Sequence, residues 1–310
     1  MKFVVPLPDN PYHLWQALVQ MASFRELGYE DDVHYLIVYF FDRPSDLLLR
    51  LWGSDEIRAY LHLYPDTRDD VSYPVSMKPW LMGQFFEQFP DEVSTYYTYL
   101  DPDCVLTRPM DFSPLLTSDG VWHGSDTGSY TGPDYLRSQG EQLFLDLCEI
   151  SGVVPDQVIA HHEDSIGAQV IVHGASAEFW YEIERKSVRA YHCLKKYAAE
   201  HDSQRALYPI QEWCAEMYMQ QFETIRAGFV PKATPLMEFS WATSPAELWS
   251  ERPFFHDAGQ PHEDGHHFCK LTWQSSPFRK EIQVSPSSAS SHYVELIRRT
   301  EEMFPDLIWD

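Results

Sequence analysis

Residues 1–41, MKFVVPLPDNPYHLWQALVQMASFRELGYEDDVHYLIVYFF, set the architecture. Phe3-Val4-Val5 reads as a short buried strand. Asn10 can cap and Pro11 can start a helix in which Leu14, Trp15, Leu18, Val19 and Ala22 recur at helical spacing until Gly28. Val33 to Phe41 is then a continuous β-branched and aromatic run, bounded by Asp31-Asp32 and Asp42-Arg43-Pro44, which suits a central strand. Strand, helix, strand from the first residues predicts an α/β fold with a mostly parallel central sheet and flanking helices. Such sheets bind ligands beyond the carboxyl ends of their strands.

Further along, helical patterning returns at residues 54–63 and 76–89, and residues 95–100 read as another strand running into Asp101-Pro102-Asp103. Residues 121–229 carry helical patterns at 135–150, 175–199 and 210–228, with a short apolar segment at 169–172, as a helical cover for the sheet. Beyond Pro231 the chain is irregular and rich in aromatic residues, His and Pro. Residues 285–291, SPSSASS, read as a linker by composition, and Tyr293, Leu296, Ile297 and Met303 stripe a last helix. The expected organisation is one catalytic domain over 1–284, divided near 120, followed by the linker and final helix at 285–310.

Of the 310 residues 44% are apolar and 15% aromatic, enough for a packed core. Asp and Glu outnumber Lys and Arg by 47 to 23, and the formal charge of -24 opposes bulk coating of nucleic acid. The first ten residues lack a signal-peptide apolar region. The apolar run from Tyr35 to Phe41 is far short of the ~20 residues that span a bilayer. Five cysteines stand singly, which fits neither a disulfide framework nor a zinc cage and suits a reducing cytoplasm.

The first strand is followed by no GxGxxG, and no GxxxxGK[ST] occurs, which sets aside dinucleotide oxidoreductases and P-loop ATPases. Asp101 and Asp103, two carboxylates separated by a stiff proline after a strand, can instead point at one hard divalent cation that keeps open positions for a phosphate.

The stretch from Lys78-Pro79-Trp80-Leu81 to Tyr97-Thr98-Tyr99-Leu100-Asp101-Pro102-Asp103-Cys104-Val105-Leu106 resembles the central segment of GT-A type glycosyltransferases, glycogenin-like enzymes included. The resemblance continues at Ile166-Gly167-Ala168-Gln169 and at His256-Asp257-Ala258-Gly259, an HxxG. It implies a GT-A-like domain in which Asp101, Asp103 and His256 ligate Mn2+ or Mg2+. Lys78, Gly167, Ala168, Gln169, Gly259 and Lys270 are then donor contacts. The implied activity is transfer of a sugar from a nucleotide sugar, a UDP-sugar by resemblance, to an acceptor hydroxyl. A looser likeness to phage-encoded glycosyltransferases, carried by Phe239-Ser240-Trp241-Ala242-Thr243, implies a 5-hydroxymethylpyrimidine in viral DNA as acceptor. Glycan, protein and small-molecule acceptors are the alternatives.

Glu212 and Glu216 are spaced i, i+4 on an expected helix whose apolar residues Ile210, Trp213, Met217 and Phe222 face elsewhere, so either could take the acceptor proton in an inverting reaction. Asp164, beside Glu163, is a further candidate. Arg185, Arg189, His192 and Lys196 form a helical basic stripe that could seat acceptor phosphates, and Trp241 could stack on a base. His262-Glu263-Asp264-Gly265-His266 fits HExxH, a zinc protease pattern that requires a helix; Gly259, Pro261 and Gly265 disfavour one. A non-catalytic sugar-binding module is the remaining alternative.

Overall fold

The computed structural model describes residues 1–116, 120–201, 210–259 and 266–310. In chain order the elements begin β1 (Lys2–Pro8), α1 (Pro11–Glu26), β2 (Val33–Tyr39), α2 (Asp46–Trp52), β3 (Tyr60–Pro65), α3 (Met77–Gln88), β4 (Tyr97–Tyr99) and β5 (Cys104–Leu106). There follow β6 (Val121–Asp126), α4 (Gly128–Thr131), α5 (Pro133–Gln139), α6 (Glu141–Ser151), α7 (Pro155–Ala160), β7 (Ile166–Val172) and α8 (Ala177–His201). The chain ends with α9 (Ala215–Arg226), β8 (Val230–Ala233), β9 (Phe239–Trp241), α10 (Leu248–Glu251), β10 (Phe254–His256) and α11 (Ala289–Met303). The α/β class expected from the sequence is the one that forms.

Contacts group these elements into two compact units. The first holds Met1–Asp66, Leu100–Phe112 and Leu236–Asp310; the second holds Thr67–Tyr99 and Ser113–Pro235.

In the first unit β1 pairs parallel with β2, and β2 pairs parallel with β3. Helix α1 starts where the sequence places it: Asn10 Oδ1 accepts from His13 N at 3.0 Å and Pro11 needs no partner for a missing N–H. Every residue of α1 from Leu14 to Phe24 is buried, and Leu18 and Phe24 are each worth ~1.5–3 kcal/mol of apolar burial. Its polar residues are buried too, and they serve the loop after Leu100. Gln20 Nε2 donates to the carbonyls of Asp101 and Cys104, Ser23 Oγ donates to Leu106 O at 2.6 Å, and Tyr35 Oη donates to Gln20 Oε1 at 2.9 Å. A second sheet has β10 antiparallel to β5 and parallel to β9.

Two local expectations change here. Residues 54–63 are not helical: Ser45 caps α2 through Leu48 N, Gly53 ends it, and residues 60–65 form β3. The alternating Tyr60, His62 and Tyr64 suit period 2, and β2 offers a ladder to complete. The Ser-rich run at 285–291 is not a free linker either. Ser285 N donates to His266 O at 2.7 Å, Ser290 Oγ donates to Ala242 O at 2.7 Å, and Ser288, Ala289 and Ser290 are buried at the start of α11.

In the second unit β7 runs antiparallel to both β4 and β6, and β6 pairs parallel with β8. Helix α8 packs on α3, α6 and α9. Gly83 permits the α3–α8 approach, since a Cβ there would lie 2.4 Å from the Tyr181 ring. The helix expected at 135–150 breaks into α5 and α6 at Gly140, where a Cβ would meet the Tyr197 hydroxyl. Among the described residues no helix is long and apolar enough to cross a membrane.

Candidate functional site

The first unit gathers a buried charged cluster around the Asp101-Pro102-Asp103 turn. Cys104 N donates to Asp101 O at 3.1 Å to close the turn, and Asp257 N donates to Asp103 O at 3.2 Å. Strand pairing sets His256 opposite Cys104 on one side and Trp241 on the other, and the Trp241 ring stacks on the imidazole at 5.7 Å. His256 Nε2 lies 3.5 Å from Asp103 Oδ2, the oxygen that also accepts from Lys270 Nζ. Asp257 steers the lysine: its Oδ2 accepts from Lys270 N at 3.0 Å and its Oδ1 from Gly259 N at 3.2 Å. Gly259 has φ +73°, and a Cβ there would lie 2.9 Å from Lys270 Cε, so glycine lets the lysine side chain pass.

The electrostatics follow from burial and pairing. Asp103 is 2% exposed, and burial alone would raise its carboxyl; Lys270 and then His256 overcome that and hold it well below the usual carboxylate range. Burial opposes the charge on His256, yet Cys104 and Asp103 outweigh it and raise the imidazole. Lys270 is likewise raised against its own burial, chiefly by Asp103. Burial pushes the Asp257 carboxyl up to about 6, and Tyr12 up to about 12.

The donor set suits a divalent cation. One ligand atom from each of Asp103, Cys104 and His256 lies within 4.8 Å of the others, and all three residues are buried. Asp103 and His256 thus meet as the sequence expects, with Cys104 in the third place; Asp101 does not join this group among the described residues. Lys270 reaches the same carboxylate. Trp241 is half-buried and packs one ring face on His256.

The second unit holds the other candidates. Lys78 Nζ lies 3.8 Å from Glu216 Oε2, and Tyr99 Oη donates to Glu216 Oε1 at 3.1 Å. Glu216 N donates to Tyr73 Oη at 3.2 Å. Glu212 and Glu216 do not share a helix face. Residues Glu212–Cys214 form a tight 3-10 turn and α9 begins only at Ala215, so Glu216 is 2% exposed while Trp213, expected on the apolar side, is 59% exposed. Gly167 lies against α9: a Cβ would sit 2.4 Å from Met217 Cε. Ala168 takes φ +58° and Gln169 is fully buried within β7. Asp164 pins β8, accepting from Ala233 N at 3.2 Å and pairing with Lys232 at 3.1 Å.

On α8, Arg185, Arg189 and Lys196 are exposed as the stripe predicts. Arg185 is already paired with Glu178 and Glu182, which reduces its capacity for phosphate. Arg185 and Arg189 border a cavity of about 370 Å³ that Glu184 also lines. The HExxH segment lies outside the described residues except for His266.

Sequence reasoning misses Cys104, Gln20 and Asp257. Cys104 adjoins the DxD and Asp257 lies within the HxxG, but the first meets His256 only through the β5–β10 register and the second shows its role only in its bonds to Lys270 and Gly259; Gln20 carries no sequence signal beyond its place on a buried helix.

The sequence matches no protein-family model, and a search of curated proteins finds no match. Solved structures do align along the chain. A galactosyltransferase, LgtC, in complex with donor and acceptor sugar analogues aligns with a TM-score of 0.47 and 11% identity over 99% of this chain and 100% of its own. The bifunctional glycosyltransferase WbbM in its apo form aligns with a TM-score of 0.49 and 12% identity, over 98% of this chain and 51% of its own. An active-site mutant of LgtC gives 0.46 and 11%, over 96% of each chain.

Proposed function

We propose that the chain is a metal-assisted GT-A-like glycosyltransferase that moves a sugar from a nucleotide sugar, a UDP-sugar by resemblance, to an acceptor hydroxyl. The observation that carries this reading is the buried Asp103 carboxylate held between His256 and Lys270, where a DxD and an HxxG meet. A nucleoside diphosphate leaving group gains negative charge as the glycosidic bond breaks, and preorganised cations stabilise that charge more than the ground state. Asp103 and His256 would hold the divalent ion, Mn2+ or Mg2+ by resemblance, which supplies Lewis-acid stabilisation of the diphosphate. Lys270 adds a fixed positive charge at the same carboxylate. Asp101 keeps the metal-ligand role and Lys78 the donor contact that the resemblance implies, and Glu216 is the proposed base.

The proposed acceptor is a 5-hydroxymethylpyrimidine in DNA, resting on the looser phage likeness and on Arg189 and Lys196 of the exposed stripe. Incubating the protein with labelled UDP-sugars, Mn2+ and either hydroxymethylated or plain DNA, then digesting to nucleosides, tests both parts. Label on the hydroxymethylated nucleoside alone supports the whole reading. Donor hydrolysis without transfer keeps the transferase and moves the acceptor to a glycan, protein or small molecule. Absence of hydrolysis across a panel of nucleotide sugars overturns it in favour of a sugar-binding module. Asp103→Asn is expected to abolish metal-dependent donor binding by calorimetry while the fold persists.

A further inference from the structure

Cys104 follows Asp103 directly, and strand geometry aims it at His256. Residues opposite each other in an antiparallel pair project to the same face with Cβ atoms ~4.5–5.5 Å apart. The β5–β10 register therefore places a sulfur beside the imidazole through backbone hydrogen bonding rather than through a chosen rotamer. The sulfur stands 4.0 Å from Asp103 Oδ1, on the opposite carboxylate oxygen from the one that Lys270 and His256 approach. Cys104 is fully buried, Asp103 is 2% exposed and His256 7% exposed, so the three donors are withheld from bulk water.

We propose that Cys104 Sγ is a metal ligand, completing with Asp103 and His256 a mixed sulfur, nitrogen and oxygen site for a borderline divalent cation of the Zn2+ or Co2+ kind. The inference rests on the metal-assisted reading above and departs from it in the ion class, since the donor atoms present differ from those that suit the Mn2+ or Mg2+ of the resemblance. Thiolate and imidazole donors favour such ions, whereas Mn2+ and Mg2+ are suited by oxygen donors alone. Three protein donors, rather than four, would match the ligand count of catalytic rather than structural zinc. Trp241, stacked on the imidazole, fixes the orientation of His256 from the side opposite the strand that carries Cys104.

The test is a Co2+ titration of the whole protein followed by absorption spectroscopy, with Zn2+ and Mn2+ affinities measured by calorimetry. The wild-type protein is expected to bind one Co2+ with a thiolate-to-cobalt charge-transfer band that Cys104→Ser abolishes. Zn2+ affinity should fall in that variant by at least the ~10–100-fold that loss of a mere supporting residue costs, while Mn2+ affinity changes little. Co2+ bound without the band, or with a band that survives Cys104→Ser, overturns the inference, as does failure to bind Co2+ at all. Should Cys104→Ser fail to fold, Cys104→Val fills the same buried space and reads the same band. The two readings fail separately. Co2+ charge transfer without turnover of any nucleotide sugar sinks the transferase and spares the site; Mn2+-dependent turnover with a band-free Co2+ complex does the reverse.

Discussion

Lys78 Nζ lies 3.8 Å from Glu216 Oε2 and joins the first turn of α3 to the first turn of α9. The sequence assigns these residues to separate tasks, and the structure makes them partners. Tyr99 holds the second oxygen of the same carboxylate, so Glu216 is oriented by two groups before any substrate arrives.

Replacing Glu216 with Gln keeps an acceptor for Tyr99 and removes the charge. If Glu216 is the base, kcat falls roughly 10²–10⁴-fold with donor Kd nearly unchanged, because a base acts in the transition state. Unchanged turnover together with a lower Tm would reduce Glu216 to an anchor for Lys78 and Tyr99. Activity assays and thermal melts on one preparation separate the two.

Lys270→Met strips Asp103 of its nearest cation. Breaking a buried pair by removing one partner costs ~3–5 kcal/mol, so the metal-free variant should melt well below the wild type. A divalent ion can then supply the missing charge, and saturating Zn2+ is expected to raise Tm more in the variant than in the wild type. An equal shift in both proteins would separate Lys270 from the metal site.

Glu184 supplies a pH test. Burial raises its carboxyl from an ordinary 4.5 to about 7, against the opposing pull of Arg68. The folded state therefore holds this proton more tightly than the unfolded chain. Stability is lost as pH climbs from 4.5 to 7 and the loss is constant above. Glu184→Gln removes that cost. The variant should melt higher than wild type at a pH well above 7, with a smaller gain at a pH between the two values; a gain of the same size at both would show that the carboxyl ionises freely.

Gln20→Leu leaves the Asp101 and Cys104 carbonyls without their side-chain donor. Each hydrogen bond lost costs ~0.5–1.5 kcal/mol, and here the loss falls on the turn that carries Asp103. The expected result is a lower denaturation midpoint together with weaker metal binding; a lower midpoint with unchanged metal affinity would make Gln20 purely structural.

Local sequence is enough for the strand, helix, strand opening, because residues 1–41 carry their periodicity, cap and stop signals within a few residues of one another. The DxD marks Asp101 and Asp103 locally as a carboxylate pair, whereas His256 and Lys270 enter only through the family resemblance. Local sequence misplaces what depends on a boundary or a partner. With α9 starting at Ala215 instead of near Ile210, Trp213 falls in the preceding 3-10 turn and is exposed, while Glu216 stays in the helix and is buried. The Ser-rich run at 285–291 has linker composition, yet its hydroxyls and amides find acceptors that composition does not reveal. The cluster itself exists only in three dimensions. Lys270 and Asp103 are 167 residues apart, and Cys104 meets His256 only through the β5–β10 register. Chain entropy opposes such long-range closures until the strands pair and their side chains are buried, so no local pattern announces them.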